Sequence, residues 1–260
     1  MKAVILCGGK GTRLREETEH KPKPLVPIGG MPILWHIMKI YSQYGIKDFV
    51  LCLGYKGEMI RDYFLNFEEM AHDFTLDLRA TNGSRLIHHN QQGLEDWRIT
   101  FVDTGQEANT GARIAKIEPY VRGETFCLTY GDGVANIDIN KLVAFHKEQG
   151  MPLTLTGIHP ESVYGIIEHE EGKAKSFKEK PRTDTTINGG FFVCEPEIFK
   201  YLSTDDSCVF EQDPMRALAA EGRLAVYDHK DFWYCMDTYK HYEILNERWN
   251  KGQADWKMWS

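Results

Sequence analysis

The sequence predicts an α/β fold with a doubly wound, mostly parallel, Rossmann-like sheet flanked by helices and a small antiparallel hairpin insertion. The first observation is that strand patterns alternate with amphipathic helix patterns, an order that produces parallel sheets with right-handed crossovers. The second is that the first apolar run, Ala3–Cys7, leads directly into the glycine-rich turn Gly8–Leu14. Such a turn lets backbone N–H groups face oxyanions, so it is suited to phosphate.

The first half of the chain supplies the parallel strands. Its first helix pattern, Met31–Tyr44, places apolar residues on one stripe and has Pro32 in its first turn. The polar stretch Thr81–Asp96 is typical of a loop or hairpin insert, and Phe74–Ala80 before it alternates like a half-exposed strand. Further strands are predicted at Asp48–Leu53, Trp97–Asp103 and Glu124–Tyr130, and further helices at Lys56–Asn66 and from Asn109 onward.

The second half changes character. Tyr164–His169 and Lys173–Phe177 are separated by Glu170-Glu171-Gly172, a spacing that predicts an antiparallel hairpin. Strands are also predicted at Pro152–Ile158, Ile187–Cys194 and Arg223–Tyr227, and helices at Ile137–Gln149, Phe210–Ala220 and Thr238–Trp249. Three tryptophans near the end of the chain are expected to pack onto the core or against another subunit.

The composition excludes several classes of function. With 260 residues, 42% hydrophobic and 27% charged, the chain can bury a substantial core. Its formal net charge of −7 argues against nonspecific binding to nucleic acid or membranes, which requires basic surface. No apolar run approaches the ~18 residues of a membrane span, and no secretory signal is recognisable. Six cysteines without a C-x-x-C pair indicate free thiols, so we expect a cytoplasmic protein.

The glycine-rich turn belongs to neither common nucleotide-binding motif. The P-loop string is absent, and the position for the third small residue of a dinucleotide fingerprint holds Leu14. A plain tight turn would explain the glycines alone. Two further features favour phosphate: Arg13 offers a planar fork for phosphate oxygens, and Lys23 lies in a segment stiffened by the prolines on either side.

Acidic and helix-terminal groups extend the candidate site. Asp132 follows a central strand and lies between glycines, where parallel sheets bind ligands and where a carboxylate can hold Mg²⁺. An Asp-Gly turn is the alternative. Thr110 and Gly111 begin a helix and can present N–H groups to an anion, although a plain helix cap would use the same residues. Asp237 lies at a strand-to-helix turn, where it could serve as a helix N-cap.

Several segments together resemble the sugar-phosphate nucleotidylyltransferase family, and the resemblance runs over nearly the whole chain. They are Gly8–Leu14, the Lys-Pro-Lys-Pro run at 21–24, and the segments at 29–36, 102–105, 130–133 and 187–192. The resemblance implies one domain over 1–260, with a nucleotide-binding half at about 1–135, a sugar-phosphate-binding half at about 136–240 and a helical tail at about 238–260. It is strongest to the cytidylyltransferase branch, which implies transfer of CMP from CTP to α-D-glucose 1-phosphate.

The resemblance also implies roles for residues of this chain. Arg13 and Lys23 would be catalytic, and Asp132 and Asp237 would hold Mg²⁺. Nucleotide contacts are expected from Leu6, Gly8, Gly9, Gly11, Thr12, Arg13, Lys23, Thr110, Gly111 and Arg113. Sugar-phosphate contacts are expected from Tyr130, Gly131, Glu179, Lys180, Asn188 and Gly189. The family further implies a homo-oligomer in which a neighbouring subunit could complete each site.

Other functions are compatible with parts of this pattern. A uridylyl- or thymidylyltransferase for the same sugar phosphate is the nearest rival, since no residue that reads the base can be located. A metal-dependent glycosyltransferase also uses an acid at a strand end, but usually in an Asp-x-Asp pair, and Gly133-Val134 follow Asp132 here. A non-catalytic regulatory subunit would not need Arg13, Lys23 and Asp132, all of which are present.

Overall fold

The computed structural model of the protein describes residues 1–79, 86–89, 95–160, 164–179 and 185–259. The strands are β1 (Ala3–Leu6), β2 (Pro27–Ile28), β3 (Met31–Pro32), β4 (Asp48–Leu53), β5 (Phe74–Leu76), β6 (Leu86–His88), β7 (Arg98–Asp103), β8 (Phe126–Tyr130), β9 (Gly133–Ala135), β10 (Leu153–Ile158), β11 (Ile166–Glu170), β12 (Lys173–Lys178), β13 (Ile187–Cys194), β14 (Leu224–His229) and β15 (Trp233–Cys235). The α-helices are α1 (Arg15–Thr18), α2 (Ile33–Ser42), α3 (Gly57–Leu65), α4 (Phe67–Ala71), α5 (Thr110–Lys116), α6 (Glu118–Val121), α7 (Ile139–Gln149), α8 (Asp213–Ala220) and α9 (Tyr239–Asn250). Short 3₁₀ turns lie at Thr12–Leu14, Lys23–Leu25 and Pro196–Tyr201.

A seven-stranded sheet with the order β14-β10-β13-β8-β1-β4-β7 forms the centre of the described chain. Strands β8, β1, β4 and β7 pair in parallel, and β13 runs antiparallel to both of its neighbours. The pairing of β10 with β14 is again parallel. The predicted fold class, a mostly parallel sheet with helices on both faces, is therefore confirmed.

Helices cover both faces of this sheet because the central strands are apolar on both sides. In β1, Ala3 and Ile5 pack into the core shared with α2, α7 and α9. Val4 and Leu6 point the other way, into the core shared with α5, α6 and α8. The same double burial explains why β1 has a continuous apolar sequence rather than an alternating one. No helix in the described ranges is both long and apolar enough to cross a bilayer.

The predicted helix Met31–Tyr44 begins later and ends earlier than expected. Met31–Pro32 instead pairs antiparallel with Pro27–Ile28, and Gly29 and Gly30 close this small hairpin with φ of +59° and +89°. Such φ values strongly favour glycine. Helix α2 then runs from Ile33 to Ser42, with Pro32 at its N-cap position. The change matters for the site, because the hairpin connects the Lys23 segment to the core.

The predicted hairpin insertion is present as β11 and β12, which pair antiparallel. The polar stretch Thr81–Asp96 lies partly outside the described residues. Its described part contains β6, which pairs antiparallel with β5 to form a second small hairpin. The cysteines have free thiols, as the sequence predicts, and Cys7, Cys52, Cys127 and Cys194 are buried.

The C-terminal tryptophans pack around a buried histidine of α2. Trp256 is fully buried, and its indole N–H lies 3.3 Å from His36 Nδ1. His36 Nε2 lies 2.8 Å from the carbonyl oxygen of Ile28. The neutral ring with its proton on Nε2 satisfies both contacts, since Nε2 then donates and Nδ1 accepts. Trp249 and Trp259 contact the same ring, so the tail closes this side of the core.

We expect this arrangement to make the protein less stable in mild acid. Burial lowers the pKa of His36 from 6.5 to about 4, against the raising effect of the backbone hydrogen bonds. As the pH falls from about 6.5 to about 4, His36 therefore becomes protonated in the unfolded chain while it stays neutral in the folded chain. The free energy of unfolding should drop by about 3 kcal/mol across this window. Urea titrations at a series of pH values measure it.

His36→Gln should flatten this part of the pH profile, whereas the same change at the exposed His20 should leave it unaltered. Both variants must be compared with the parent protein over the same pH range, because several carboxylates also titrate there. An equal pH slope for the parent and for His36→Gln would contradict the assignment.

Candidate active site

A cleft of about 320 Å³ lies at the carboxyl ends of β1 and β8. Ligands bind at this edge in parallel sheets because the loops that leave neighbouring strands diverge there. The cleft brings together most of the predicted site residues: Leu6, Gly8, Gly9, Gly11, Thr12, Arg13, Lys23, Thr110, Arg113, Tyr130, Gly131 and Asp132. These residues come from separate segments of the chain, and only the sheet places them side by side.

Glycine is required at different positions of the turn for different physical reasons. Gly11 has φ +61°, and a Cβ there would lie 2.9 Å from the Thr18 side chain. Around Gly9 a Cβ would meet nothing within 4 Å, so the backbone is open to the cleft, as a phosphate-binding turn requires. At Gly8, by contrast, a Cβ would lie 2.2 Å from the Arg113 guanidinium. That glycine makes room for a side chain of the protein itself.

A compact charged cluster lies beside the turn. Lys23 Nζ is 2.7 Å from Asp132 Oδ2 and 2.7 Å from Asp237 Oδ1, and its side chain is only 11% exposed. Arg13 Nη1 lies 3.0 Å from Asp237 Oδ2, and 74% of its side chain is exposed. The cluster therefore combines two cations and two carboxylates where the turn meets the carboxyl end of β8.

Asp237 reaches this cluster through a small two-stranded sheet. Strand β15 pairs antiparallel with β9, so that Cys235 stands opposite Gly133, and the Met236 N–H donates to the Asp132 carbonyl at 2.8 Å. The hydroxyl of Thr238 accepts the N–H of the following helix, so Thr238 is the N-cap of α9. The Asp237 carboxylate is thus left for the cations, and the alternative that it caps the helix is wrong.

The charged forms of Lys23 and Asp237 are stabilised by the opposite charges around them. Burial by itself raises the pKa of Asp237, but the hydrogen bond and charge of Lys23, assisted by Arg13, outweigh it and leave the pKa below its ordinary value. Burial likewise lowers the pKa of Lys23, and the Asp132 carboxylate more than compensates, so the pKa of Lys23 is raised. At neutral pH this side of the cleft carries a protonated lysine and an ionised Asp237.

The carboxylates are suited to a hard divalent cation. Ligand atoms of Asp132, Cys235 and Asp237 all lie within 4.8 Å of one another. Magnesium takes oxygen ligands and is commonly held by one or two carboxylates together with substrate phosphates. Burial, followed by the charge of Asp132, raises the pKa of the Cys235 thiol, so sulfur stays protonated and is a poor ligand for Mg²⁺. The two aspartates are the groups that fit.

Arg113 is buried among oxygens of the protein itself. Its guanidinium lies within hydrogen-bond distance of the Thr104 hydroxyl at 2.7 Å and of the Gly105 and Gly8 carbonyls at 2.8 and 3.1 Å. It also contacts the Leu53 carbonyl at 3.1 Å. Among the residues that the structure describes, no carboxylate forms an ion pair with it. Arg113 borders the cleft, but its direct contact with a nucleotide stays a prediction.

Sequence reasoning missed Glu211, which joins two predicted site residues. The Tyr130 hydroxyl donates to Glu211 Oε1 at 2.5 Å, and the Thr110 hydroxyl donates to Glu211 Oε2 at 2.6 Å. Asn188 Nδ2 in turn donates to the Tyr130 hydroxyl at 3.2 Å. A lone glutamate just before α8 carries no motif, so only the fold reveals this position.

The remaining predicted residues lie outside the lining of the cleft. Gly111 packs against Cys208, whose sulfur would lie 2.5 Å from a Cβ at that position. The Gly189 carbonyl accepts the Trp233 indole N–H at 2.6 Å. Glu179 is exposed at the end of β12. Lys180 falls outside the described residues. The predicted contact of Gly111 with the nucleotide, and those of Gly189, Glu179 and Lys180 with a sugar phosphate, therefore stay predictions.

Comparison with known proteins places this geometry in context. The family model described as nucleotidyl transferase matches residues 2–250. A probable glucose-1-phosphate cytidylyltransferase of Bacillus subtilis is 49% identical over 259 residues, covering 100% of both chains. Glucose-1-phosphate cytidylyltransferase of Salmonella typhi is 47% identical, again over 100% of both chains. The fold is similar to that of UDP-glucose pyrophosphorylase from Acinetobacter baumannii, with a TM-score of 0.69 at 15% identity, covering 99% of this chain and 95% of that one.

Proposed function

Since the chain belongs to the nucleotidyl transferase family, we propose that it transfers CMP from CTP to α-D-glucose 1-phosphate, giving CDP-glucose and pyrophosphate. Two relatives that share nearly half of its residues over their full length are named for this reaction. The observation in the structure that carries the proposal is the Lys23-centred cluster beside the open turn at Gly9. The cluster contains two cations and two carboxylates, and under this proposal the phosphates of both substrates and Mg²⁺ would bind there.

The reaction balances without a general base. A phosphate oxygen of glucose 1-phosphate attacks the α-phosphorus of CTP and forms a new P–O bond. The bond from the α-phosphorus to the bridging oxygen breaks, and pyrophosphate leaves with that electron pair. A phosphate monoester has its second pKa at ~6, so the attacking group is already largely dianionic at neutral pH. The main tasks of the protein are therefore to position the reacting phosphate groups and to neutralise their charge.

The residues of the cleft suit those two tasks. Backbone N–H groups of the turn at Gly9 and Gly11 can face phosphate oxygens, and the exposed Arg13 can reach the leaving pyrophosphate. Lys23 can bridge the two substrates at the α-phosphate. Asp132 and Asp237 would hold Mg²⁺, which when bound would supply positive charge against the phosphates.

We assign sugar binding to the half of the chain beyond about residue 136. The predicted contacts of Glu179, Lys180, Asn188 and Gly189 belong to this assignment, together with Tyr130 and Gly131 at the end of β8. The contact from Asn188 to Tyr130 supports it, because it ties the start of β13 to the wall of the cleft. A cytoplasmic location is part of the same proposal.

The protein is further proposed to be a homo-oligomer. Apolar side chains are exposed on both small hairpins: Leu76 and Ile87 on β5–β6, and Ile167 and Phe177 on β11–β12. Clusters of exposed apolar groups often mark association surfaces. Light scattering on the purified protein should give a mass at least twice the 30.0 kDa of one chain. A monomer at micromolar concentration would contradict this part of the proposal.

Pyrophosphate release tests the reaction and the base together. The protein is supplied with glucose 1-phosphate and Mg²⁺, and CTP, UTP, dTTP and ATP are offered separately. Release with CTP alone is the expected result. Preference for UTP or dTTP would keep the reaction and support the rival base. No release with any of the four would contradict the proposed function, and calorimetry with CTP would then identify a non-catalytic nucleotide binder.

Arg13→Ala should lower turnover by ~100-fold or more, since one preorganised donor to a charged transition state is typically worth that much. The free energy of unfolding should change little, because the side chain is mostly exposed and exposed ion pairs contribute little. Arg15→Ala is the matched control, as Arg15 is an exposed arginine two positions further along the chain. Equal turnover in both variants would contradict the role of Arg13.

A further inference from the structure

The Glu211 carboxylate holds two hydroxyl groups of the cleft wall at once. Its Oε1 accepts from Tyr130 at 2.5 Å and its Oε2 accepts from Thr110 at 2.6 Å. Tyr130 is at the end of β8 and Thr110 is the first residue of α5, so the carboxylate connects two elements that border the cleft. A hydroxyl carries a single proton, and here both protons point to Glu211.

The other contacts of the two hydroxyls are also accounted for. The Phe210 N–H donates to the Thr110 hydroxyl at 3.0 Å, and Asn188 Nδ2 donates to the Tyr130 hydroxyl at 3.2 Å. Each oxygen has two lone pairs, and one of them is used in this way. What each hydroxyl can still offer to a ligand is one lone pair and no proton. These two hydroxyls of the cleft wall can therefore accept hydrogen bonds from a substrate but cannot donate them.

A hydroxyl that can only accept a hydrogen bond discriminates between pyrimidine bases. At position 4 cytosine carries an amino group, which donates, whereas uracil and thymine carry a carbonyl oxygen, which accepts. An acceptor set against the carbonyl would leave both groups unsatisfied, and sites built around such a pairing reject the wrong ligand strongly. Thr110 is the hydroxyl on the predicted nucleotide side, while Tyr130 is tied through Asn188 to the predicted sugar side.

We propose that Glu211 is a positioning residue that makes the Thr110 hydroxyl the acceptor for the exocyclic amine of cytosine, and so sets the preference for CTP. This inference rests on the proposed function, because it concerns the base of the nucleotide. The Glu211 carboxylate fixes the orientation of the Thr110 hydroxyl, because it accepts the single proton of that hydroxyl.

The test compares CTP with UTP in variants of the full-length protein. The measured quantity is the ratio of kcat/KM for CTP to kcat/KM for UTP, with glucose 1-phosphate and Mg²⁺ saturating. Thr110→Val keeps the shape of the side chain and removes the acceptor, so the ratio should fall by about tenfold or more. Thr110→Ser keeps the hydroxyl and should hold the ratio within about threefold of the parent. Tyr130→Phe should leave the ratio unchanged.

Glu211→Gln tests the carboxylate itself. The amide offers one oxygen and one NH₂, so one of the two hydroxyls meets a donor and must turn its own proton elsewhere. The CTP to UTP ratio should fall by about tenfold. Glu221→Gln is a matched control, because Glu221 accepts from the Tyr201 hydroxyl at 2.5 Å in the same kind of pair and is not part of the cleft lining. Its ratio should equal that of the parent.

The outcomes separate this inference from the proposed function. Preference of the parent protein for CTP decides the function, and the variants decide the inference. Equal losses for both nucleotides in Thr110→Val and Glu211→Gln would show a purely structural role and overturn the inference while the function stands. A parent protein that prefers UTP would overturn both. If a variant turns over too slowly for kinetics, calorimetric affinities for CTP and UTP measure the discrimination at the level of binding, and an unchanged affinity ratio in Thr110→Val would likewise overturn the inference.

Discussion

Replacing Lys23 by methionine is expected to lower turnover by ~100-fold or more, one of the two largest effects predicted for this protein. The ammonium group lies 2.7 Å from carboxylate oxygens of both Asp132 and Asp237, so its removal takes away a proposed phosphate contact and the charge between two acids. Methionine keeps most of the side-chain volume, so packing of the nearly buried stem is conserved. Single-turnover measurement of pyrophosphate release separates this loss of chemistry from weaker substrate binding.

A matched control lies two residues away in the same Lys-Pro-Lys-Pro segment. Within the part of the chain that the structure describes, Lys21 makes only a 3.5 Å ion pair with Glu17, four positions before it, at a partly exposed site. Lys21→Met should therefore retain turnover within about twofold, since such pairs contribute little. Turnover of Lys23→Met close to that of the control, with a normal circular dichroism spectrum, would remove the main support for the catalytic assignment.

Arg113→Met should destabilise the fold by about 3–5 kcal/mol, comparable to breaking other buried charged contacts. The guanidinium links the glycine turn at Gly8 to the segment Thr104–Gly105 and to the end of β4 at Leu53. Without it, the Gly105 carbonyl and the Thr104 hydroxyl lose the guanidinium donor, and each unsatisfied group is costly, whereas the Leu53 and Gly8 carbonyls keep backbone donors. The midpoint of urea denaturation measures the effect, and it should move to lower urea without a change in slope.

The same substitution at the exposed Arg122 is the control for loss of an arginine and should change the free energy of unfolding by less than about 0.5 kcal/mol. A further comparison separates support of the turn from contact with the nucleotide. At saturating CTP, ligand binding should restore part of the lost stability in Arg113→Met, because the rest of the cleft still binds. An unchanged urea midpoint would show that Arg113 does not hold these segments together.

The secondary structure and the fold class could be predicted from the sequence because local patterns carry them. The mainly apolar runs at Asp48–Leu53 and Ile187–Cys194 match strands β4 and β13. Each strand is buried apart from its first one or two residues. The ends of helices were predicted less accurately. At Met31–Pro32, for example, a glycine turn and strand pairing override helical periodicity. Motifs that are compact in sequence, such as the turn at Gly8–Leu14, could likewise be located in advance.

The composition of the active site depended on contacts between distant parts of the chain. Lys23 and Asp237 are 214 positions apart, and the pairing of β15 with β9 determines that they meet. Glu211 has no local pattern, because its importance comes entirely from two distant hydroxyls, those of Thr110 and Tyr130, which lie 101 and 81 positions away in the chain. Gly8 also looked like a site for ligand approach, and the fold shows Arg113 filling that space.

Periodicity and residue chemistry within short segments were enough to predict the order of the main strands and helices, the position of the glycine-rich turn and the identity of its charged residues. Three features came from long-range contacts alone: the acids that face Lys23, the arginine that supports the turn, and the carboxylate that orients the hydroxyls of the cleft. Those features depend on strand pairing and on the direction of hydrogen bonds between segments far apart in the chain, which local patterns do not encode.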